Sequence, residues 1–450
     1  MQLSLDLISK VELAIQDHDF DEVKNILEPM NDADIAELII DLSLNAKISL
    51  IRYLPNAPYI LEYLSIEQLQ NIVEYLPEDQ LLDVISGMHS DNRIDLFKIL
   101  TPQQQQKIYQ QLSAEKQQQI RQLEQYSEES AGALMSSDFV TLSPNLSMSQ
   151  AIEQLRKVAA DRETLYLIYI VDTQNVLLGV ISLRQIILAD PNQTIAEVMT
   201  TDLIVGWIDE DQESIANKLS HYDFIALPIV DEQYHLLGIV TYDDATDVVQ
   251  AETTEDFLKS SAVAASPNMS IKRAPIFALY KKRVFWLVIL VFGSLLSGIG
   301  IAHFEDIIAA NIVLVFFLPL LVGSGGNAGS QSATLMVRAL ATGDVQLKDW
   351  FYLVGREVLV GLCLGGTMAF AVSILGYIRG DAMVAVVLAI SMMGIVLLGC
   401  LIGMSLPFIL NRLKLDPASA SAPLVTSICD ATGVVVYLFI ASMLLGQASL

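Results

Sequence analysis

The chain has 450 residues, 52 of them acidic and 26 basic, which gives a formal net charge of −26 at pH 7. Residues 1–270 hold 44 of the acids and 15 of the bases, whereas residues 271–450 are nearly neutral and strongly apolar. Such an acidic part disfavours nucleic acid and anionic lipid as partners and favours cations, although acids also serve solubility alone. The N-terminus lacks the basic start and apolar run of a signal peptide, so we expect the acidic part to be cytoplasmic.

Short amphipathic helices are predicted over residues 1–130. Cap-like signals open four segments, LSIEQ, LPEDQ, LTPQQ and LSAEK, at Leu64, Leu76, Leu100 and Leu112. Each places a capping residue or a proline before an acid or a glutamine, and apolar residues then recur at helical spacing. The pattern predicts an all-α, superhelical stack of short helices.

An internal repeat follows over residues 131–250. The segments YIVDTQNVLLGVISLRQI and PIVDEQYHLLGIVTYDDA begin 59 residues apart, at Tyr169 and Pro228. The order strand, helix, strand, strand, helix occurs twice and resembles a tandem pair of CBS domains, an α/β module that usually dimerises and often senses adenine nucleotides. Asp243 and Asp244 follow the last strand, where such domains often hold a ribose, but the first copy has Gln185 there. ATP or another adenine nucleotide is therefore a candidate ligand that the residues leave open.

Five long apolar runs occupy the last part of the chain, at about 284–303, 308–341, 350–378, 382–410 and 417–446. Each reaches or exceeds the roughly 20 residues that cross a bilayer. Basic residues such as Lys281 and Arg412 flank one side of these runs, and the other side has few. The positive-inside rule then predicts a cytoplasmic N-terminus and an outside C-terminus.

An aspartate lies inside the last apolar run, in PLVTSICDATG. A carboxylate within a membrane span is costly and usually faces a partner or a water-filled path. No cationic residue lies within the apolar interior of any of the runs to neutralise Asp430, and Arg356 lies near the cytoplasmic end of the third run. Two interpretations remain: a protonated side chain hydrogen-bonded to Thr426 or Ser427, or a cation site on an ion path.

The second apolar run contains an unusual set of small and polar residues. FFLPLLVGSGGNAGSQSATLMVRAL places Pro319, four glycines, Asn327 and Gln331 inside a membrane segment. Such a stretch is expected to weaken or interrupt the helix, and irregular backbone is tolerated there only around a cavity or inside protein. Close packing of helices through small residues is the alternative; it explains the glycines but not the two amides.

The segments GSGGNAGSQSATLMVRALATGD and PLVTSICDATG together resemble the MgtE family of magnesium channels, and the order of domains matches as well. The resemblance implies a multidomain membrane protein: a helical N-domain (1–130), a CBS pair (131–250), a connecting "plug" helix (244–270) and a five-helix pore domain (271–450). It further implies a multi-pass protein of the bacterial inner membrane and a homodimer in the lipid bilayer, with one pore that imports Mg²⁺. The implied pore ion site consists of Asp430, Asn327, Gly326 and Gly433.

The resemblance also assigns a sensing role to acidic residues, which suits the charge of the first part. On a helix, Asp244, Asp247 and Glu255 would share a stripe about 80° wide, and like charges so spaced oppose the helix unless something compensates. Mg²⁺ bridging acidic faces would compact the domains and close the pore. The expected regulatory Mg²⁺ ligands are Asp91, Asp95, Asp211, Glu213, Asp244, Asp247, Glu252, Glu255 and Asp416.

Three other functions compete with that of a channel for a chain that carries an intramembrane aspartate. A carrier would exchange a proton for a divalent cation at Asp430. A membrane-anchored sensor that transports nothing does not explain the polar residues of the second run. An intramembrane aspartyl protease needs two aspartates that share a proton, and only one lies deep in the membrane part. We therefore expect no enzymatic activity.

Overall fold

The computed structural model describes residues 5–158, 164–264 and 274–445. It divides into two compact units, Met1–Ala251 and Glu252–Leu450. The described part of the first unit is built from short helices followed by two small sheets, and that of the second mainly from long apolar helices. The predicted fold class, a helical N-domain, a CBS pair with mixed sheets and a set of membrane-length helices, is confirmed.

The N-terminal layer is a succession of short helices, as the cap signals predicted. Ser65 caps α6, Thr101 caps α9 and Ser113 caps α10. The backbone N–H groups of Ser65 and Thr101 also donate to the side-chain oxygen of the glutamine three residues on. The helices are α1 (Leu5–Gln16), α2 (Phe20–Leu27), α3 (Asp32–Asp41), α4 (Leu44–Tyr53), α5 (Ala57–Leu61), α6 (Ile66–Val73), α7 (Glu78–Gly87), α8 (Ser90–Lys98), α9 (Pro102–Gln111) and α10 (Ala114–Leu123).

The two CBS copies have the same topology, and their strands pair in equivalent registers. In each sheet the first strand runs parallel to the second and the second antiparallel to the third, with a bulge near the end of the second strand. The elements are α11 (Ala131–Leu134), β1 (Thr141–Leu142), α12 (Met148–Val158), β2 (Leu167–Val171), β3 (Leu177–Ser182), α13 (Leu183–Leu188), α14 (Ile195–Val198), β4 (Gly206–Trp207), α15 (Gln212–His221), β5 (Ala226–Val230) and β6 (Leu236–Thr241).

Within the first unit, α8 of the helical layer is bonded directly to the entry of the CBS pair. The backbone N–H of Ser90 donates to Asp138 Oδ2 at 2.8 Å, and the Ser90 hydroxyl accepts from the backbone N–H of Ser137 at 2.7 Å. These groups lie in the interior, because Ser90 and Asp138 are both buried. The apolar core continues across this junction, because Ile94 belongs to the same buried cluster as Met135 and Val240.

A long acidic helix, α16 (Tyr242–Ser260), follows β6. It contains the predicted stripe residues, and it ends before the predicted limit of the connecting helix at residue 270. Residues 265–270 of that predicted segment lie outside the described residues.

Five helices of the second unit are long and apolar enough to cross a membrane. Helix α21 packs against α19, α20 and α22, whereas α17 packs mainly against α22. The helices are α17 (Ile276–His303), α18 (Glu305–Ala310), α19 (Val313–Ala341), α20 (Trp350–Arg379), α21 (Ala382–Arg412) and α22 (Ala422–Leu445). The apolar run predicted from residue 308 thus begins inside the short α18, and the run predicted from residue 417 begins with a 3-10 turn, Pro417–Ser419, before the spans α19 and α22.

The expectation of an interrupted second span was wrong, because α19 is one continuous helix that contains Pro319 and all four glycines. Close packing against α21 explains two of the four glycines, Gly325 and Gly329. A Cβ on Gly403 would overlap the carbonyl oxygen of Gly329, and one on Gly399 would overlap that of Gly325. The backbones of α19 and α21 therefore touch, which two glycine pairs four residues apart permit. These backbone contacts do not account for the polar side chains of α19.

Candidate ion site and regulatory face

Asp430 lies on α22 against the glycine face of α19. Its Oδ1 atom is fully buried and has no hydrogen-bond partner among the described residues. A Cβ on Gly326 would lie 3.3 Å from this Oδ1 and 2.9 Å from the methyl group of Thr426. Gly326 therefore leaves the space that the carboxylate occupies.

The two hydroxyls expected to bond Asp430 are engaged elsewhere. The Thr426 hydroxyl lies 3.1 Å from that of Ser330 on α19, and the Ser427 hydroxyl donates to the carbonyl of Pro423 at 3.0 Å. The interpretation of Asp430 as a side chain bonded to Thr426 or Ser427 is thus not supported for its buried oxygen. An intramembrane carboxylate oxygen without such a bond suits a site that binds a hydrated ion.

A polar stripe runs along α19 beside this carboxylate. Asn327, Gln331 and Thr334 follow one another at helical spacing, and all three residues are exposed. Gly323 continues the stripe, with no heavy atom within 4 Å of a Cβ built there. The Thr334 hydroxyl donates to the Ser330 carbonyl within the helix at 2.9 Å. The exposed amides of Asn327 and Gln331 need a partner subunit or a water-filled path, because lipid offers them no hydrogen bonds.

Gly433, the remaining predicted pore residue, lies one turn after Asp430 and is buried. A Cβ there would be 3.4 Å from the Ile395 side chain and 3.8 Å from the Cα of Val322. The position is therefore a packing point between α19, α21 and α22. Because α19 and α22 are regular helices, the carbonyls near Gly326 and Gly433 belong to helical hydrogen-bond ladders.

The membrane unit contains a second carboxylate that sequence reasoning did not assign to a site. Glu357 on α20 accepts a hydrogen bond from the Ser332 hydroxyl of α19 at 2.8 Å. The thiol of Cys400 on α21 lies against the same carboxylate. The guanidinium of the adjacent Arg356 lies instead over the Tyr352 ring, 5.9 Å from its centre. Glu357 thus joins three helices through polar contacts.

In the first unit, the structure brings Asp91 of α8 and Asp244 of α16 together. Burial raises the pKa of Asp244 to about 8, and the negative charge of Asp91 adds to the shift. The Thr241 hydroxyl bonds Asp244 Oδ2 at 2.5 Å and only partly offsets these effects. The pKa of Asp247 is also raised, by partial burial and by Asp243. Two such opposed carboxylates would gain from a bound divalent cation.

Other predicted regulatory residues are used differently. Burial raises the pKa of Asp95 to about 6, with Lys98 as a nearby counter-charge. Asp211 caps α15, because its Oδ1 accepts the backbone N–H of Glu213 at 2.9 Å. This cap is sufficient to explain the Asp211 carboxylate. Neither Asp211 nor Glu213 belongs to a group of three or more His, Cys, Asp or Glu side chains that could hold a metal ion in the part of the chain that the structure describes.

In the second unit, a lysine joins two predicted metal ligands. The Lys259 ammonium lies 2.5 Å from Glu255 Oε1 and 2.6 Å from Asp416 Oδ2. Burial would lower the pKa of Lys259, but its hydrogen bonds to these carboxylates outweigh burial and raise it. Asp256, which the sequence analysis missed, has its pKa raised by burial and by Asp416; Glu252 adds a smaller effect. The sequence did contain a signal for this ion pair, because Lys259 follows Glu255 by four residues, a spacing at which opposite charges pair on a helix.

Taken together, the described residues contain no group of three or more His, Cys, Asp or Glu side chains close enough to hold a metal ion. A pair of carboxylates, such as Asp91 with Asp244, could still bind Mg²⁺ together with water. This is chemically reasonable, since Mg²⁺ commonly keeps several of its waters and binds through one or two carboxylates.

Comparison with known proteins relates each part of the chain to one family. The MgtE intracellular N domain matches residues 15–129, the CBS domain matches 131–192 and 195–251, and the MgtE divalent cation transporter domain matches 318–440. The domains follow one another in the order that the sequence predicted.

Curated relatives that match most of the chain are magnesium transporters as well. The magnesium transporter MgtE of Thermus thermophilus is 42% identical over 323 residues, 72% of each chain. That of Enterococcus faecalis is 35% identical over 324 residues, 72% of this chain and 71% of the relative.

Two solved structures resemble the first part. The soluble part of a magnesium transporter is 30% identical with a TM-score of 0.51, and covers 55% of this chain and 98% of the solved one. The cytosolic domain of the Mg²⁺ channel MgtE in complex with ATP is 31% identical with a TM-score of 0.51, and covers 54% and 99%. The chain therefore belongs to the MgtE family of magnesium transporters, as a multi-pass membrane protein with cytosolic N and CBS domains rather than an enzyme.

Proposed function

We propose that the protein is a Mg²⁺-selective channel that imports Mg²⁺, with Asp430 as the pore ion site. The observation that carries the proposal is the buried Oδ1 of Asp430, which lacks a hydrogen-bond partner among the described residues and lies beside Gly326. The exposed stripe of Asn327, Gln331 and Thr334 on the same side supports it. A carboxylate can bind hydrated Mg²⁺ through its waters, favouring a dication while still allowing release.

A homodimer fits this path, with one polar stripe and one Asp430 contributed by each subunit. The CBS pair supplies a second argument, because each copy exposes large apolar side chains. Tyr166, Ile187 and Leu188 are 67%, 64% and 73% exposed in the first copy, and Ile225 and Tyr242 are 51% and 54% exposed in the second. Apolar surface of this kind is typical of an interface. The C-terminus would lie outside, as the flanking basic residues predict.

Regulation by cytosolic Mg²⁺ is proposed to act first at the face formed by Asp91 and Asp244, with Asp247 next to it. Burial and the negative charge of Asp91 raise the pKa of Asp244, so Asp244 retains its proton at neutral pH. A bridging Mg²⁺ would displace that proton and stabilise the contact between the two carboxylates. Near Asp416 the situation differs, because Lys259 already neutralises the carboxylates. Mg²⁺ would have to displace Lys259 there, which makes Glu255 and Asp416 weaker metal candidates than the pair in the first unit.

Adenine nucleotide binding at the second CBS copy is a further part of the proposal. A relative's cytosolic domain was crystallised in complex with ATP. In this chain Asp243 is exposed directly after β6, whereas Asp244 is turned toward Thr241 and Asp91. Asp243 is therefore the residue expected to meet a ribose. Titration of ATP into the purified protein should show binding that Asp243→Ala weakens.

The decisive experiment measures Mg²⁺ current in membrane patches while cytosolic Mg²⁺ is stepped from zero to several millimolar. Wild type should conduct Mg²⁺ and close as cytosolic Mg²⁺ rises. Asp430→Ala should carry no Mg²⁺ current, or an unselective one, and Asp244→Asn should conduct but close poorly. Absence of current in wild type, together with pH-dependent uptake into vesicles, would favour the carrier, with Asp430 as its proton-exchange site.

A further inference from the structure

Helices α17 and α22 lie side by side, and two glycines of α17 define their register. A Cβ on Gly293 would lie 3.6 Å from the Cβ of Ser427, and one on Gly300 would lie 3.2 Å from Cγ1 of Val434. Both intervals, from Gly293 to Gly300 and from Ser427 to Val434, span the same number of residues. The two helices therefore run parallel here, and residues between the contact points are level with one another.

Ser297 and Asp430 both fall between these contact points. Ser297 is about 40° around α17 from Gly293, at about 100° per residue. Asp430 is about 60° around α22 from Ser427 by the same measure, on the side where its Oδ1 meets Gly326. The two side chains therefore lie at the same depth, on adjoining faces of packed helices.

Each of these residues has a buried polar atom without a partner. The Oγ of Ser297 and the Oδ1 of Asp430 are both fully buried, and neither has a hydrogen-bond partner in the part of the chain that the structure describes. Ser294, one turn earlier, shows the usual alternative, because its hydroxyl donates to the Leu290 carbonyl at 3.1 Å. Unsatisfied buried polar atoms are rare, and two at one level call for a shared partner such as a bridging water.

We propose that Ser297 is a positioning residue for the ion site, and that its hydroxyl donates through one bridging water to the inner oxygen of Asp430. This bond fixes the orientation in which the carboxylate faces the ion path. The inference rests on the proposed function, because it requires Asp430 to bind the transported Mg²⁺. It adds α17 to the helices that build the site. If Ser297 were only a small residue that packs between Gly293 and Gly300, its replacement by alanine would leave Mg²⁺ uptake unchanged.

The test is Mg²⁺ uptake into liposomes by the full-length protein, with the half-saturating Mg²⁺ concentration and the maximal rate per molecule measured separately. Ser297→Ala should raise the half-saturating concentration about three- to tenfold, the effect of one lost hydrogen bond, with little change in the maximal rate. Ser294→Ala on the same helix is the matched control and should behave as wild type. Asp430→Asn should abolish saturable uptake.

Wild-type parameters in Ser297→Ala would overturn the inference, because alanine keeps the packing and removes only the hydroxyl. A lower maximal rate at an unchanged half-saturating concentration would also overturn it, since that pattern reflects fewer working molecules. Normal uptake by Asp430→Asn would instead contradict the proposed function itself, so the two failures are distinguishable.

Discussion

The Lys259 ammonium lies 2.6 Å from the Asp416 carboxylate and links the end of α16 to the turn that precedes α22. The pair is about one-third exposed, with side-chain exposures of 30% and 35%, so solvent screens it in part. A lysine thereby takes the place where the sequence suggested a regulatory metal ion, and the same lysine also pairs with Glu255.

We expect Lys259→Gln and Asp416→Asn each to destabilise the full-length protein by about 1 kcal/mol, a value reduced for solvent screening. The double variant should cost little more than either single one, because both remove the same interaction. Thermal unfolding in detergent measures this coupling. Lys157→Gln is the control, since Lys157 and Glu153 form an ion pair that is 69% and 71% exposed and should contribute almost nothing. Additive effects of Lys259→Gln and Asp416→Asn would contradict the bridge.

A second prediction concerns pH and Asp244. Its pKa of about 8 lies above the ordinary 3.8, so between about pH 4 and pH 8 the folded state retains a proton that the unfolded chain has released. Stability therefore falls as pH rises through this window and changes no further above it. Asp244→Asn should flatten that fall and raise the melting temperature at pH 8 by a few degrees, roughly the effect of 1 kcal/mol or more.

Thermal unfolding of the cytosolic residues 1–264, followed by circular dichroism at pH 5 and pH 8, measures the effect. The exposed Asp202 provides the control, because Asp202→Asn should leave the pH dependence unchanged. A variant Asp244→Asn that is less stable than wild type at pH 8 would show that the ionised carboxylate supports the fold.

The sequence predicted the local features best, because their causes are local. Capping residues such as Ser65 and Thr101 begin helices where expected, and the repeated strand pattern forms two equivalent sheets. The continuity of α19 was not predictable from composition, since the glycines that weaken an isolated helix allow close contact with α21. A membrane helix keeps its backbone hydrogen bonds where packing permits.

In the candidate site too, the local feature could be predicted from the sequence and the contacts between distant segments could not. Asp430 could be selected from the sequence because a carboxylate in an apolar run is conspicuous. Its position against Gly326, and the contact between Asp91 and Asp244, depend on residues far apart in the chain. The role of Lys259 was missed for a different reason. An acidic stripe suggests a metal, but only the folded chain shows that one of its own ammonium groups reaches the carboxylates.

The Ser332–Glu357 bond leads to a third prediction. Because the Ser332 hydroxyl donates to Glu357 Oε1 at 2.8 Å, Glu357→Gln keeps an acceptor oxygen and should be tolerated, whereas Glu357→Ala leaves the hydroxyl unpaired. We expect Glu357→Ala to lower stability in detergent by about 0.6–2 kcal/mol, the range that measurements on interhelical bonds in membranes span. Ser332→Ala should have a similar effect alone and add little to Glu357→Ala. Equal loss in Glu357→Gln and Glu357→Ala would show that charge, not the hydrogen bond, is what matters.

The contact between α19 and α21 gives the last prediction. A Cβ on Gly403 would overlap the Gly329 carbonyl oxygen, a backbone atom that cannot turn aside as a flexible side chain can. Gly403→Ala must therefore separate the two helices, and we expect a loss of about 3 kcal/mol, at the upper end of typical overpacking costs. Gly355→Ala on α20 is the matched control, because no heavy atom lies within 4 Å of a Cβ there. Alanine should be neutral or stabilise the helix at that position.

Both variants can be compared by thermal unfolding in detergent and by Mg²⁺ uptake. Gly403→Ala should reduce Mg²⁺ uptake because α19 carries the face opposite Asp430. Equal stability of the two variants would mean that α19 and α21 are not in backbone contact at Gly329 and Gly403.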